Sequence, residues 1–135
     1  MEIHPYLYFD GNCEEAFEHY AELLGGDLEV MTYDQAPDGD DGPSKAWEDR
    51  VLNARLSLGS ATLMGSDIPE WDDHRRPQGV RVTLQMDDPA EAERIYDALR
   101  EEGTVDLELE STFWAKRFAM VTDRFGVPWL INCPK

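Results

Sequence analysis

A nine-residue pattern occurs twice in this chain, beginning at position 15 and again at position 91. Residues 15–23 and 91–99 both read Glu-Ala-x-x-x-Tyr-x-x-Leu. At 3.6 residues per turn, the Ala, Tyr and Leu of each copy fall on one stripe of an α-helix. The pattern therefore predicts two amphipathic helices, and it indicates a fold built from two copies of one unit.

Similar segments precede the two helices and support this interpretation. An apolar, strand-like segment comes first in each half, at residues 6–9 and 82–86. A helix start signal follows each segment. Asn12 and Asp88 are the predicted N-caps, and Pro89 stands at the first helical position, where its missing N–H costs nothing. Each half therefore begins with a strand and continues into a helix.

Three more strands are predicted after each helix, because apolar segments alternate with turn signals. Gly25-Gly26 and Gly103 suit left-handed ends of the two helices. Gly59 and Gly126 mark short turns between the last two strands of each half. The predicted strands are residues 27–33, 51–58 and 61–65 in the first half and 105–109, 116–122 and 127–132 in the second. The sequence thus predicts an α+β chain that reads βαβββ twice. Its modules span about 1–67 and 79–135, joined by the loop 66–79 in a single domain.

Length and charge narrow the classes of protein that fit. A chain of 135 residues suits one domain. It has no apolar run of the roughly 18 residues that cross a bilayer, and no signal-peptide pattern, so we expect a soluble, cytoplasmic protein. With 29 acidic and 12 basic residues, the net charge of −17 disfavours nucleic acid and anionic membrane as partners. Cys13 and Cys133 form no metal or redox motif, and we predict two separate reduced thiols.

Two long loops each carry a tryptophan. The acidic segment 34–50 ends near Trp47, and the segment 66–79 contains Trp71 beside His74. Loops longer than about a dozen residues are usually lids, binding loops or disordered segments. The aromatic residues indicate packing over a pocket or against a second subunit, and local packing within each loop is the alternative.

The C-terminal third carries the most specific motifs. Residues 110–132 contain Thr-Phe-Trp-Ala and Thr-Asp-Arg-Phe-Gly-Val-Pro-Trp, and residues 5–16 and 63–67 contribute further matches. Together they resemble the PhnB-like branch of the vicinal oxygen chelate superfamily, which includes glyoxalase I, bleomycin-resistance proteins and extradiol dioxygenases. The resemblance covers nearly the whole chain. It implies two paired βαβββ modules that curl into a concave mixed sheet, the glyoxalase/bleomycin-resistance fold, and it implies a homodimer.

The resemblance also implies where a divalent metal would lie in the metal-dependent relatives, which use His and Glu from equivalent strands. The first ligand position falls at or beside His4. The second falls near residues 80–82, where Arg81 is the only polar residue, and the third falls near residues 129–131, which have no carboxylate. Asn53 stands where relatives often carry His. One His and one Asn make a poor metal set, so we predict that the metal site is degenerate, with His4 as its remaining candidate ligand.

Other catalytic patterns are absent from the sequence. It contains no Gly-x-Ser-x-Gly motif, no phosphate-binding Gly-rich loop and no zinc-spaced His-Glu pair. Some relatives carry a demethylubiquinone methyltransferase label, but we find no Gly-rich crevice for a methyl donor and predict no such activity. Glu110, directly before Ser-Thr-Phe-Trp, is the one candidate catalytic residue, as a proton acceptor or polar anchor. A solvated strand-end acid is the alternative.

What remains is a predicted pocket lined by aromatic residues. If the sheets curl as the resemblance implies, alternate strand residues face a concavity. Core packing is the alternative, since aromatic residues mostly fill space. The candidate ligand-binding residues are Tyr6, Tyr8, Trp47, Asn53, Met64, Phe113, Trp114 and Trp129, with Arg55, Phe118, Met120 and Ile131 sharing the predicted faces.

Two functional classes fit this reading. In the first, the protein binds a small apolar or planar molecule without turnover and without a cofactor, as bleomycin-resistance-type relatives sequester drugs. In the second, it is an enzyme of lyase, isomerase or dioxygenase type that works through Glu110, His4 or a divalent metal. The sequence favours the first class because its metal-ligand set is incomplete. A pure assembly module, with a filled concavity, is a third reading.

The acidic residues are spread over the predicted helix faces, hairpin ends and the loop at 34–49. This distribution favours adaptation to a salty cytoplasm over a localised acidic binding surface, because salt screens self-repulsion. We therefore expect the thermal unfolding midpoint to rise between low and molar KCl. A calorimetric series across that range tests the hypothesis, and a midpoint indifferent to salt would contradict it.

Overall fold

A computed structural model describes residues 1–35, 47–69 and 72–135 of the chain. The chain separates into two compact units, Met1–Arg75 and Arg76–Lys135. Each unit contains one four-stranded sheet and one α-helix in the order βαβββ, which confirms the predicted α+β fold. Most of the predicted acidic loop, residues 36–46, lies outside the described residues, and so does Trp71. No helix among the described residues is long and apolar enough to span a membrane.

In the first unit, the first strand of the chain pairs with the last strand of the unit. Its elements are β1 (Tyr6–Phe9), α1 (Cys13–Leu24), β2 (Asp27–Thr32), a 3-10 turn (Tyr33–Gln35), β3 (Val51–Leu58) and β4 (Ala61–Asp67). The strand order is β1-β4-β3-β2. β1 runs parallel to β4, and the other neighbours are antiparallel.

The second unit repeats this arrangement. Its elements are β5 (Val82–Gln85), α2 (Pro89–Arg100), β6 (Thr104–Glu110), β7 (Ala115–Thr122) and β8 (Pro128–Pro134). The order β5-β8-β7-β6 again places the first strand parallel to the last. Every strand predicted from sequence is present, with its ends shifted by at most two residues.

One helix covers one face of each sheet. The repeated stripe lies against the sheet as predicted: Ala16, Tyr20 and Leu23 of α1 are buried, and Ala92, Tyr96 and Leu99 are their buried counterparts in α2. Strand residues alternate accordingly, so Leu7 and Phe9 of β1 are buried while Tyr6 and Tyr8 are exposed. Both helices are amphipathic because only one side of each meets the sheet.

The helix ends differ from the sequence prediction at two points. Asp88 caps α2 as predicted, accepting a hydrogen bond from the Ala90 N–H at 3.0 Å, but Asn12 makes no side-chain cap bond. Its φ of −114° and ψ of 22° lie outside the extended region in which an N-cap side chain folds back. After α2, Glu102 rather than Gly103 takes the positive φ, at 59°. Gly103 is needed for close packing, because a Cβ there would lie 2.5 Å from the Thr122 carbonyl oxygen.

Asp67, at the end of β4, joins three segments of the first unit. Its carboxylate accepts hydrogen bonds from the Gly11 N–H at 2.8 Å, the Cys13 N–H at 3.1 Å and the Val51 N–H at 2.8 Å. The side chain is 1 % exposed. A buried carboxylate is stable only when its oxygens are paired in this way. Asp67 therefore fixes the turn into α1 and the start of β3 against β4.

Asp123 has the same role in the second unit, between β7 and β8. It accepts hydrogen bonds from the Phe125 and Val127 N–H groups, both at 2.9 Å, and from the Trp129 indole N–H at 2.8 Å. It is also buried. In each unit, a buried carboxylate thus organises a turn.

We expect Asp67→Ala to lower the free energy of unfolding by about 3–5 kcal/mol, because three N–H groups, two of them buried, lose their acceptor. Urea unfolding followed by circular dichroism measures the change. Asp27→Ala, at the exposed start of β2, is the matched control and should cost less than about 0.5 kcal/mol. Equal losses in the two variants would show that Asp67 does not have this role.

Candidate functional site

The face of the first sheet opposite α1 exposes aromatic side chains. Tyr6 and Tyr8 are 41 % and 52 % exposed, and their ring centroids lie 5.2 Å apart. Tyr6 pairs with Met64 in register, and Met64 pairs with Arg55 on the next strand. The four side chains therefore share one face of the sheet, as the alternation of the sequence predicts.

Tyr33 is a neighbour of these two tyrosines that the sequence analysis missed. Burial raises the pKa of its phenol above the usual value, and Tyr6, Asp67 and Tyr8 raise it further. Tyr33 begins the 3-10 turn after β2, where no periodic pattern indicates the direction of a side chain. We call Tyr6, Tyr8 and Tyr33 the tyrosine face. A groove of about 350 Å³ adjoins it, lined by Tyr8, Ile68, Asp72, Asp73 and Arg75.

Strand register separates His4 from Asn53. Tyr6, Met64 and Arg55 form one row across β1, β4 and β3. In sequence, His4 comes two residues before Tyr6, and Asn53 comes two residues before Arg55. Because β1 and β3 run in opposite directions, His4 and Asn53 lie on opposite sides of this row. At roughly 3.3 Å per residue, the two side chains lie about 13 Å apart along the strands. The two polar residues left at the implied ligand positions are therefore not neighbours along the strands.

His4 has a local environment of its own. Its Nε2 lies 3.6 Å from a carboxylate oxygen of Glu2. Together with Ser60 and Thr62, His4 lines a groove of about 330 Å³ beside the turn between β3 and β4. Among the described residues, no group of three His, Cys, Asp or Glu side chains is arranged to hold a metal ion. The residues near His4 do not fit the divalent metal of the metal-dependent relatives.

Trp47 is held by contacts within the first unit. The Arg50 guanidinium lies 3.9 Å from the centroid of its ring, and its indole N–H donates to the Ile68 carbonyl at 3.2 Å. Arg50 in turn pairs with Asp10 at 3.1 Å. These contacts match the local-packing alternative for this tryptophan.

The second unit exposes a separate group of aromatic residues, Phe113, Trp114 and Phe118, which we call the aromatic cluster. Phe113 is 88 % exposed and Trp114 45 %. The Phe113 and Trp114 centroids are 4.7 Å apart, and those of Trp114 and Phe118 are 5.2 Å apart. The Thr112 hydroxyl accepts hydrogen bonds from the Trp114 and Ala115 N–H groups, at 3.3 and 3.0 Å, and so fixes the turn that presents the two exposed rings.

Glu110 lies beside this cluster. It is exposed at the end of β6 and pairs in register with Phe118, which pairs with Asn132 on β8. The Asn132 amide donates to the Gln85 side-chain oxygen at 3.2 Å, while its own side-chain oxygen is buried and has no hydrogen-bond partner. Glu110 thus shares a row with amide side chains and an aromatic ring.

Trp129 does not face the same side as the aromatic cluster. It pairs with Val121, and both side chains are fully buried on the face that α2 covers. The Trp129 indole N–H donates a hydrogen bond to the Asp123 carboxylate. Met120 pairs instead with Leu130, so the predicted alternation of β8 is wrong by one residue, and such a shift moves every side chain to the other face. The prediction that Trp129 and Ile131 line the pocket is therefore corrected to core packing.

A larger groove of about 640 Å³ lies in the second unit and was not predicted. It is lined by Pro77, Gln78, Gly79, Val80, Arg81, Thr83, Asp106, Thr122, Pro128 and Leu130. Arg81 donates to an Asp106 carboxylate oxygen at 3.0 Å and to the Trp129 carbonyl at 3.2 Å. The Thr122 hydroxyl donates to the same Asp106 oxygen at 2.7 Å. The sequence singled out Arg81 only as a residue that cannot bind a cation.

Neither cysteine is placed for nucleophilic chemistry. Cys13 and Cys133 are free thiols and both are buried. Burial raises the pKa of the Cys13 thiol far above its usual value, and the carboxylates of Asp67 and Glu14 add to the increase. Cys13 therefore stays in the unreactive thiol form at neutral pH.

At the start of each helix, a side chain of the chain itself accepts one of the first N–H groups. Asp67 accepts the Gly11 and Cys13 N–H groups at the start of α1. At the start of α2, Pro89 has no N–H and Asp88 accepts that of Ala90. Helix N-termini bind the anionic groups of nucleotide cofactors through free N–H donors. At each of these two ends, one such donor is already used within the chain.

Comparisons with known proteins agree with this architecture. A family model described as 3-demethylubiquinone-9 3-methyltransferase matches residues 1–132. The chain is 32 % identical to Protein YjdN of Escherichia coli (strain K12) over 148 residues, covering all of this chain and 97 % of that one.

Solved structures agree as well. The crystal structure of PA1353 from Pseudomonas aeruginosa matches with a TM-score of 0.90 at 44 % identity, covering 99 % of this chain and 98 % of the other. A Bacillus cereus structure matches with a TM-score of 0.76 at 23 % identity, covering 98 % of each chain. It is described as a putative 3-demethylubiquinone-9 3-methyltransferase, PhnB protein.

Proposed function

The chain belongs to the 3-demethylubiquinone-9 3-methyltransferase family, whose PhnB-like members fall in the vicinal oxygen chelate superfamily, and within it we propose a protein that binds a small, planar, largely apolar molecule without a metal. The observation that carries the proposal is the tyrosine face. Exposed aromatic rings on a sheet face supply a flat apolar surface with polar hydroxyl groups at its edge.

The composition of the tyrosine face supports a planar ligand. The Tyr6 and Tyr8 rings are in contact, with centroids 5.2 Å apart and a tilt of 47°, so together they present one continuous aromatic surface. Met64 shares their face of the sheet, and thioether side chains adapt to varied aromatic partners. The groove beside Tyr8 is of a size that suits a small molecule.

The aromatic cluster offers a second surface of the same chemistry. Phe113 and Trp114 are exposed on a turn that Thr112 fixes, so ordering them for a ligand costs little conformational entropy. Glu110 stands at the edge of this cluster as a polar anchor. We propose it as a contact residue rather than as a catalytic base.

The arrangement of polar side chains supports binding without a metal. His4 and Asn53 lie on opposite sides of the row formed by Tyr6, Met64 and Arg55. Arg81 occupies the second implied ligand position, where it pairs with Asp106. A guanidinium at that position repels a cation. On β8, Leu130 shares the face of Met120, and its side chain cannot ligate a metal.

The methyl-transfer activity in the family description receives no support from these residues. Methyl transfer uses a nucleoside-type donor, and the donor needs a crevice with free backbone N–H groups. Asp67 and Asp88 each accept one of the first N–H groups of a helix, those of Cys13 and Ala90. We further propose, from the sequence, that the protein works in the cytoplasm as a homodimer.

The tyrosine face can be tested with indole, a neutral planar probe. We expect indole to shift the backbone amide resonances of β1 and β4 in ¹⁵N NMR titrations. Tyr8→Ser should weaken the binding of indole by about three- to tenfold, because one aromatic contact is lost. Cyclohexanol, which is not planar, should bind more weakly than indole.

Ile3→Ser provides the control for this experiment. Ile3 is exposed in the same unit but lies outside the tyrosine face. The variant should bind indole like the parent protein. If both variants bind equally well, or if indole shifts resonances only elsewhere in the chain, the proposal fails.

Metal content separates the proposed function from a metal-dependent enzyme. We expect protein purified without chelators to hold less than about 0.1 equivalent of Mn, Fe, Ni or Zn by elemental analysis, because the ligand set is incomplete. His4→Ala is the companion variant. A stoichiometric metal that disappears in His4→Ala would favour the enzyme instead.

A further inference from the structure

We propose that the groove in the second unit is a binding site for a neutral molecule with a carbonyl-type acceptor, which Arg81 anchors. The groove of about 640 Å³ lies over the side of the sheet that α2 does not cover. Arg81, Asp106 and Thr122 supply its polar side, and we call these three residues the Arg81 triad. The Arg81 triad belongs to the second unit, and the tyrosine face belongs to the first.

A β-bulge places Asp106 in the groove. In β6, Val105 pairs with Val121 and Leu107 pairs with Met120, so Asp106 is the additional residue on its strand. A bulge re-aims the side chain of its extra residue, and bulges occur frequently beside binding sites. Here the Asp106 carboxylate comes within hydrogen-bond distance of both Thr122 and Arg81.

These contacts hold the Arg81 guanidinium in one orientation. One terminal nitrogen donates to Asp106 and the other to the Trp129 carbonyl. The contacts use two of the five N–H donors of the side chain, so three remain for a ligand. The side chain is 28 % exposed. A pre-oriented guanidinium binds a ligand acceptor without a further cost of ordering.

The charge of the triad indicates which acceptor fits. Asp106 neutralises Arg81, and the whole chain has a net charge of −17. An anionic ligand would therefore meet a negative protein and a carboxylate already in place. A neutral carbonyl or amide oxygen gains the hydrogen bonds without this repulsion.

The remaining walls of the groove suit a small apolar body. Val80, Pro128 and Leu130 present apolar surface next to the triad. Thr83 pairs with Leu130 in register, so its hydroxyl lies at the same edge. Apolar walls with a few convergent polar groups are the usual composition of a small-molecule site.

Benzamide and benzoate form a matched pair of probes, since they share the ring and differ in charge. We expect benzamide, followed by ¹⁵N NMR, to shift the Arg81 side-chain N–H and the Thr83 and Leu130 amides. Arg81→Met should weaken benzamide binding about tenfold, because hydrogen bonds to a charged donor are lost. Benzoate should bind the parent protein more weakly than benzamide.

Arg117→Met is the control variant. Arg117 is an arginine of the same unit that pairs with Glu93 at 3.2 Å, away from the groove. The Arg117→Met variant should bind benzamide with an affinity within twofold of that of the parent protein. The spectra also show whether each variant keeps its fold.

Asp106→Asn provides a test that keeps Arg81 in place. Removing the neutralising carboxylate should shift the preference toward benzoate by at least about fivefold, because the guanidinium charge is then uncompensated. A purely structural role for the triad would leave the preference unchanged. The proposal is overturned if benzamide shifts no resonance of the groove, if Arg81→Met binds it normally, or if Asp106→Asn leaves the preference unaltered. Indole binding at the tyrosine face can succeed or fail independently of these results.

Discussion

In the part of the chain that the structure describes, one α-helix packs on each sheet, and this constraint determines the rest of the structure. A four-stranded sheet has two faces, and the stripe of Ala, Tyr and Leu on α1 or α2 covers one of them. Strand residues that point toward the helix are consequently apolar and buried. The other face can carry residues that a core would not accept, namely exposed tyrosines in the first unit and a paired arginine in the second. The side chains that we propose as ligand contacts therefore lie on the faces away from the helices.

The two units use the same physical device at different positions. Asp67 stands at the end of the last strand of its unit, whereas Asp123 stands in the turn before the last strand. Each carboxylate is buried and takes three hydrogen bonds. The duplicated scaffold thus retains its helix and strand order while its turns have been stabilised separately. The grooves of the two units also differ, because they lie next to turns and strand ends, which are the parts in which the units differ.

The sequence predicts the scaffold well because helices and strands depend on local periodicity. The repeat at residues 15 and 91 identifies both helices, and alternation identifies the exposed positions of β1. The failures arise where the third dimension decides. The separation of His4 from Asn53 depends on strand direction, which cannot be read from one strand alone. Trp129 was assigned to the wrong face because Val127 and Pro128 conceal the register of β8, and the bulge at Asp106 has no sequence signal of its own.

The Asp67 contacts have a consequence for how this family can diverge. All three donors to its carboxylate are main-chain N–H groups, of residues 11, 13 and 51. Any residue except proline supplies the same donor, so the hydrogen bonds themselves place no side-chain requirement on those three positions. Substitutions there need no compensating change at position 67. A contact that joins three distant parts of the unit would therefore leave no trace of correlated substitution, and only an unvarying acid at one position would reveal it.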